Sequence, residues 1–257
     1  MIIPLENQPS MICLGPMGNP DPTSIINLET NRIPLKPSDM NLDCSQAFRS
    51  WPSVTPGWRN WFRRIANSQR TNWEQYDISQ CLNLSFSEMI RNEPMLISAS
   101  HFWSDAINAC MFNHGPMTPT LMDVVMLTGL NIHAADRPFR LLEKASFKIE
   151  TKSIGGWKGY IGKNMKTGSV SVREHTAFLN MWLEKFIFCG KVVGPTSNNL
   201  KLAENLATGN PVPLGKHLLG SVYHLLPQVS SRLSRSPTWE APGGSFSCGC
   251  ICTCTKL

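Results

Sequence analysis

Four cysteines alternate near one end of the chain, Cys248, Cys250, Cys252 and Cys254 within GSFSCGCICTCTKL, and thiols in that number suggest a soft-metal site. Structural zinc sites space paired cysteines roughly two to four residues apart, because single-residue spacers strain tetrahedral closure, so no metal is expected here. His101, His114, His133, His175, His217 and His224 include no H-E-x-x-H pair, and Glu174-His175 lacks a second histidine at the needed offset, so each reads as a structural histidine. Cys110 and Cys189 lie in apolar runs that read as helical, where a thiol behaves as a small hydrophobe. Gly155-Gly156 followed by Lys158 and Lys163 has the outline of a phosphate loop, yet it matches no G-x-x-x-x-G-K-[ST] pattern and reads as a solvated loop. Two-metal phosphoester hydrolysis needs clustered Asp, His and Asn ligands, and the Gly-Asp and Asn-His-Glu motifs that would supply them are missing.

That leaves Trp58 and Trp61 beside Arg59, Arg63 and Arg64. Rings next to guanidinium groups can stack on bases and meet phosphates. The plainer expectation is a core-facing tryptophan stripe with a solvated basic side, because Trp58, Trp61, Phe62 and Ile65 recur at helical spacing. The three arginines are the candidate interaction residues, with no catalytic, cofactor-binding or metal-binding residue beside them.

The elements that position these residues are mainly helical. Prolines from Pro4 to Pro37 break residues 1–46 into an extended or disordered arm. Thr55-Pro56 opens the tryptophan helix, a weaker helix is expected around Trp73 to Leu82, and Ser85 with Glu88 reads as a capping box. Leu96, Ala99, Trp103, Ala106, Ile107 and Cys110 keep one apolar face over about four turns, which predicts a central helix. His114-Gly115-Pro116 signals a turn in a small β-hairpin. Thr120 and Asp123 then cap a helix that Gly129 ends.

The Gly- and Lys-rich stretch from Ile154 to Gly168 reads as a mobile loop. Ser171 to Glu174 caps a long helix through Phe178 and Trp182 to Gly190, and shorter helices follow over Leu200 to Ala207 and Leu214 to Leu226. The expected fold is a mainly α, multi-helix single domain over 47–226 with one small hairpin, and an irregular cysteine-rich tail over 227–257.

The 257 residues are enough to bury a real core, and 42% apolar with 16% charged residues is ordinary for a globular chain. No stretch is apolar enough for a membrane span, and MIIPLENQPSM lacks the features of a signal peptide, so a reducing compartment and free thiols are expected. A formal charge of +6 permits an acidic partner, but the basic residues read as spread along the chain rather than gathered in a run.

The stretch NEPMLISASHFWSDAINACMFNHGPMTPTLMDVVMLTGLNI, Asn92 to Ile132, resembles the central signature of the plant mobile domain family. Glu174 to Leu226 resembles that family's second half, and the helix at Trp58 to Ile65 its entry, so the resemblance spans about Phe48 to Leu226. Trp103, Gly115, Pro116, Thr120, Asp123 and Gly129 are its recognisable residues, and they are core, turn and cap types.

The family is similar to proteins named for maintenance of meristems, is found fused to a plant protein phosphatase of the seven long form, and occurs inside transposable elements. The resemblance implies a nuclear, non-enzymatic scaffold acting in a multiprotein complex for meristem maintenance and transposon silencing. The implied partners are proteins, such as a phosphatase-like subunit or another plant mobile domain protein. A transposon-derived nucleic-acid-binding module and a decayed copy are the alternatives. The family's label "aminotransferase-like" invites a search for a Schiff-base lysine, a pyridinium partner and a phosphate cradle, and the sequence offers no such set.

The tail departs from the family, in which a Gly-rich turn like Pro242-Gly243-Gly244 leads into a tryptophan-rich helix. Gly244 to Thr255 can be encoded so that a one-base shift restores such a helix, which implies a truncated or frameshifted copy. Missing helices would then leave the apolar sides of the Phe178 and Leu218 helices partly uncovered and the isolated chain poorly soluble.

Overall fold

The computed structural model describes residues 52–87, 92, 99, 102–112, 115–133, 144–189 and 193–235. The arm expected over 1–46, the cysteines from Cys248 to Cys254, and His101 and His114 lie outside them.

Trp58, Trp61, Ile65 and Trp73 recur on the inward side of α1 (Trp58–Gln75), so the tryptophan stripe forms the expected helix and carries it on for two further turns, but Gly57 at φ 91, not Thr55-Pro56, stands at its start. Asp77, at φ 55, breaks the chain before α2 (Ser79–Leu84), which buries Cys81 and Leu82. The stretch read as one helix from Trp73 to Leu82 is therefore the end of one helix and most of another. Ser85, read as a helix start, closes α2. Its hydroxyl accepts from the Trp58 indole at 2.9 Å and donates to the Leu82 carbonyl at 2.6 Å.

The central helix expected between Leu96 and Cys110 does not extend past residue 102. Trp103 begins a three-stranded antiparallel meander, β1 (Trp103–Ser104), β2 (Ala109–Phe112) and β3 (Gly115–Met117), so the expected hairpin carries a third strand. Cys110 pairs across to Trp103 on one side and to Met117 on the other. Asn108, at φ 52, supplies the left-handed residue that the β1–β2 turn needs, a conformation asparagine tolerates better than most residues. Helical spacing is a local signal, and here tertiary pairing overrides it.

α3 (Leu121–Thr128) starts and stops as its sequence predicts. Thr120 Oγ1 accepts from the Asp123 amide and the Asp123 carboxylate accepts from the Thr120 amide, while Gly129 closes the helix at φ 68. α4 (Gly156–Asn164) occupies the stretch read as a loop. Its glycines disfavour a helix on their own, at about 1 kcal/mol each relative to alanine. Tyr160 and Ile161, with Trp157 behind them, bury one side and offset that cost.

α5 (Val172–Trp182) is the centre of the fold: every residue from Glu174 to Trp182 is buried, and the helix packs against α1, α4 and α6 (Leu200–Ala207). A π-helical turn over Leu183–Ile187 extends α5. α7 (Leu214–Arg235) packs on α3 and β1 and continues through Pro227, beyond the expected stop at Leu226. Phe178 and Leu218 are 0% and 1% exposed. The expected uncovered faces are thus closed, by α1 over Phe178 and by α3 beside α7. No helix among the described residues is long and apolar enough to cross a membrane.

Candidate functional site

The three tryptophans of α1 converge on one ring. Trp58 stacks on Phe178 at 4.6 Å, Trp73 stacks on it at 5.6 Å, and Trp61 meets it edge-on at 5.4 Å. Each indole N–H is also spent: Trp58 on Ser85, Trp61 on Glu174 Oε1 at 3.3 Å, and Trp73 on His175 Nε2 at 3.0 Å. Rings held by packing and by a hydrogen bond are not free to stack on a base.

The arginines beside them do not act as one group. Arg59 is exposed with its guanidinium 5.5 Å from the centre of the Phe86 ring, and Arg63 is exposed. Arg64 turns inward and grips Glu174 through Nε at 2.8 Å and Nη2 at 3.1 Å. Glu174 also accepts from the Lys166 amide at 3.3 Å, so four donors meet one carboxylate that is 1% exposed. Burial alone pushes this carboxyl's pKa up, but the donors, Arg64 foremost, more than offset it and hold the group below its usual range. The same hydrogen bond raises the Arg64 pKa.

In the sequence Glu174 reads as the last residue of a capping box and as half of an incomplete metal motif with His175. Ser171 does cap α5 by accepting from the Glu174 amide at 3.2 Å, but the Glu174 side chain leaves the cap for Arg64. Nothing local in the sequence marks that choice.

Other buried ionisable groups are saturated in the same way. Glu204 accepts from the amide and hydroxyl of Ser146 and from Lys201, which outweigh its desolvation and lower its pKa. Glu184 accepts from the amide and side chain of Asn199 at 2.9 and 3.0 Å. His175 is driven by burial to a pKa of about 4, so it is neutral and serves as an acceptor. The thiols of Cys81 and Cys110 are pushed up to about 12 and about 11 by burial, which disfavours the nucleophilic thiolate. Cys110 lies on β2 rather than on the helix its apolar run suggested. No group of three or more His, Cys, Asp or Glu side chains among the described residues is placed to hold a metal.

The motif residues hold the meander and α3. Trp103 is buried 5.8 Å from the Tyr223 ring, with an indole N–H that has no partner among the described residues. Gly115 starts β3 at φ 124, and Pro116 sits opposite Met111. Tyr223 closes the contact by donating to the Pro119 carbonyl at 2.8 Å and bonding Thr118 Oγ1 at 2.6 Å. On the outer side of α3, Met122 and Met126 are 61% and 74% exposed, one turn apart.

The basic residues are spread along the chain, but the net positive charge is not. Lys144, Lys148, Lys152, Lys158, Lys163, Lys166 and Arg173 face Glu150 alone between residues 144 and 173, so seven of the 24 cations and one of the 18 acids lie there. The remaining 17 of each balance, and the whole formal charge of +6 belongs to this segment. All seven cations are exposed. Residue-by-residue reading misses this concentration; a windowed charge count finds it.

A family model described as the plant mobile domain matches residues 77–251. No curated protein matches the chain, and no solved structure does.

Proposed function

Since the chain belongs to the plant mobile domain family, we propose that it is a non-enzymatic scaffold that docks a protein partner in a nuclear complex serving meristem maintenance and transposon silencing. The observation that carries this reading is the methionine pair on α3. Met122 and Met126 present flexible, polarisable side chains to solvent from a helix whose opposite side, Val124 and Thr128, is locked into the core. Exposed methionines of this kind adapt to apolar partner surfaces. The saturation of Glu174, Glu184, Glu204 and His175 by structural partners supports a role without chemistry, because these groups are already committed to the fold.

The partner we propose, from the family resemblance, is a phosphatase-like subunit or a second plant mobile domain protein. The test is capture from plant nuclear extract on the full chain and on a Met122→Ser/Met126→Ser variant. The reading expects a discrete partner that stays bound at high salt and is lost from the variant, since apolar contacts are not screened. Equal capture by both proteins overturns the docking face. Recovery of nothing by either favours a decayed copy.

A further inference from the structure

We propose that the lysine-rich surface built around α4 binds the phosphate backbone of duplex DNA without reading its sequence. The segment from Lys144 to Arg173 folds back on itself. Arg173 Nη2 donates to the Lys148 carbonyl at 3.0 Å, and Lys163 pairs with Glu150, so cations distant in sequence come together. That pair uses the segment's single acid. No other cation in the segment makes an ion pair with a described residue, and all remain exposed.

The outward side of α4 bears Lys158, Gly162 and Lys163. A side chain added at Gly155, Gly156, Gly162 or Gly168 would meet nothing within 4 Å, so the backbone is open at these points. An open cationic surface of this kind fits a polyanion, and three features narrow which one.

Base stacking by a single strand needs exposed rings, and the segment has none free. Phe147 lies under Arg173 at 5.8 Å, Trp157 is edge-on to Tyr160 at 5.8 Å, and Tyr160 is buried with its hydroxyl on the Ala177 carbonyl. Insertion into a lipid bilayer needs an apolar stripe, and Val172 is the segment's one large apolar side chain that is well exposed. Reading guanine edges needs the planar fork of arginine, whereas the cations here are lysines apart from Arg173, which is engaged at Lys148. What remains is sequence-independent attraction to the closely spaced phosphates of a duplex.

The experiment is fluorescence anisotropy of the full chain with a labelled mixed-sequence duplex across a KCl series. With about four phosphates contacted, the affinity should fall with a log–log salt slope of about −3 to −4. Lys158→Gln/Lys166→Gln should weaken binding about tenfold at low salt and flatten the slope by about 2, because each contact contributes about 0.9. Lys216→Gln, an exposed lysine on α7 outside the segment, should change neither.

If the first pair does not fold, Lys152→Gln/Lys158→Gln takes its place. Equal loss in the Lys216 control, an unchanged slope, or tighter binding to a single strand or to phosphatidylserine vesicles than to the duplex would each overturn the proposal. Met122→Ser/Met126→Ser should leave duplex binding intact, so this result and the protein-partner result stand or fall separately.

Discussion

The indole N–H of Trp73 donates to Nε2 of His175 across 3.0 Å, which requires that Nε2 be unprotonated and places the imidazole proton on Nδ1. The bond ties the last inward residue of α1 to the first turn of α5. With Trp58 on Ser85 and Trp61 on Glu174, it makes α1 a structural part of the segment that the family match begins only at residue 77. A protonated His175 would turn a donor toward a donor inside the core. The pairing therefore predicts a specific response to acid.

The His175 pKa is about 4 in the folded protein, against 6.5 for the free side chain. Between those values the unfolded chain takes up a proton that the folded chain refuses, so stability is fully present above the higher value and is lost as pH falls toward the lower one. The loss is on the order of 3 kcal/mol when complete. Urea unfolding from pH 7 to pH 5 isolates the effect, because the lowered carboxyls of Glu174 and Glu204 give up their contribution only below about pH 4.5. His175→Gln can still accept through Oε1 and should show a nearly flat profile over that range; a wild-type slope in the variant would refute the assignment.

Removing the Glu174 carboxylate should destabilise the protein more than removing its cation. Glu174→Leu strands the buried Trp61 indole, which costs about 1–3 kcal/mol, and also leaves the Lys166 amide and Arg64 without their acceptor. Arg64→Met leaves Glu174 two neutral donors. Thermal melts of the two variants should rank Glu174→Leu below Arg64→Met, and the reverse order would mean that the guanidinium, not the carboxylate, organises the site.

Phe178 is the ring on which Trp58, Trp61, Phe62 and Trp73 all converge. Phe178→Ala should cost about 3–5 kcal/mol, and Phe178→Leu clearly less, because leucine refills most of the volume. Denaturant unfolding reads both. A small loss for the alanine variant would show that α1 can collapse onto α5 without the ring.

Some local cap signals located the structure, while others, Thr55-Pro56 and Ser85, did not: α1 starts after Gly57, and Ser85 ends α2. Thr120 with Asp123, Ser171, and Gly129 are cap chemistry; α3 starts and stops, and α5 starts, where those residues stand. The tryptophan stripe of α1 carries its period in the side chains that fill the core. Signals failed where the deciding contact lay far along the chain. Trp103 and Cys110 satisfy a helical period and a strand pairing equally, and Tyr223, more than a hundred residues on, packs against the strand form. α4 looks like a loop because glycine dominates its local preference, while the partners that fold it, Trp61 and α5, lie outside it. Glu174 likewise looked like a cap because Arg64 is 110 residues away. Of the candidate interaction residues, the sequence could place Arg59 and Arg63 outward but could not foresee that Arg64 is taken inward.

Gly129 offers a test that separates backbone strain from crowding. At φ 68 it holds a left-handed conformation, and a side chain there would come within 2.6 Å of Gln80 Oε1. Gln80 is exposed and the clashing atom is the far end of a flexible side chain, so it can swing away at little cost. The left-handed backbone cannot be relieved that way, since Cβ crowds its own chain there at a cost of roughly 1–2 kcal/mol. Gly129→Ala should therefore lose about that much stability, and Gln80→Ala introduced beside it should restore almost none. Full recovery in the double variant, measured by urea unfolding of all four proteins, would show that the helix end is limited by space rather than by handedness. Thr120→Ala at the other end of α3, losing about 1 kcal/mol with its cap, sets the scale for what either end of this helix contributes.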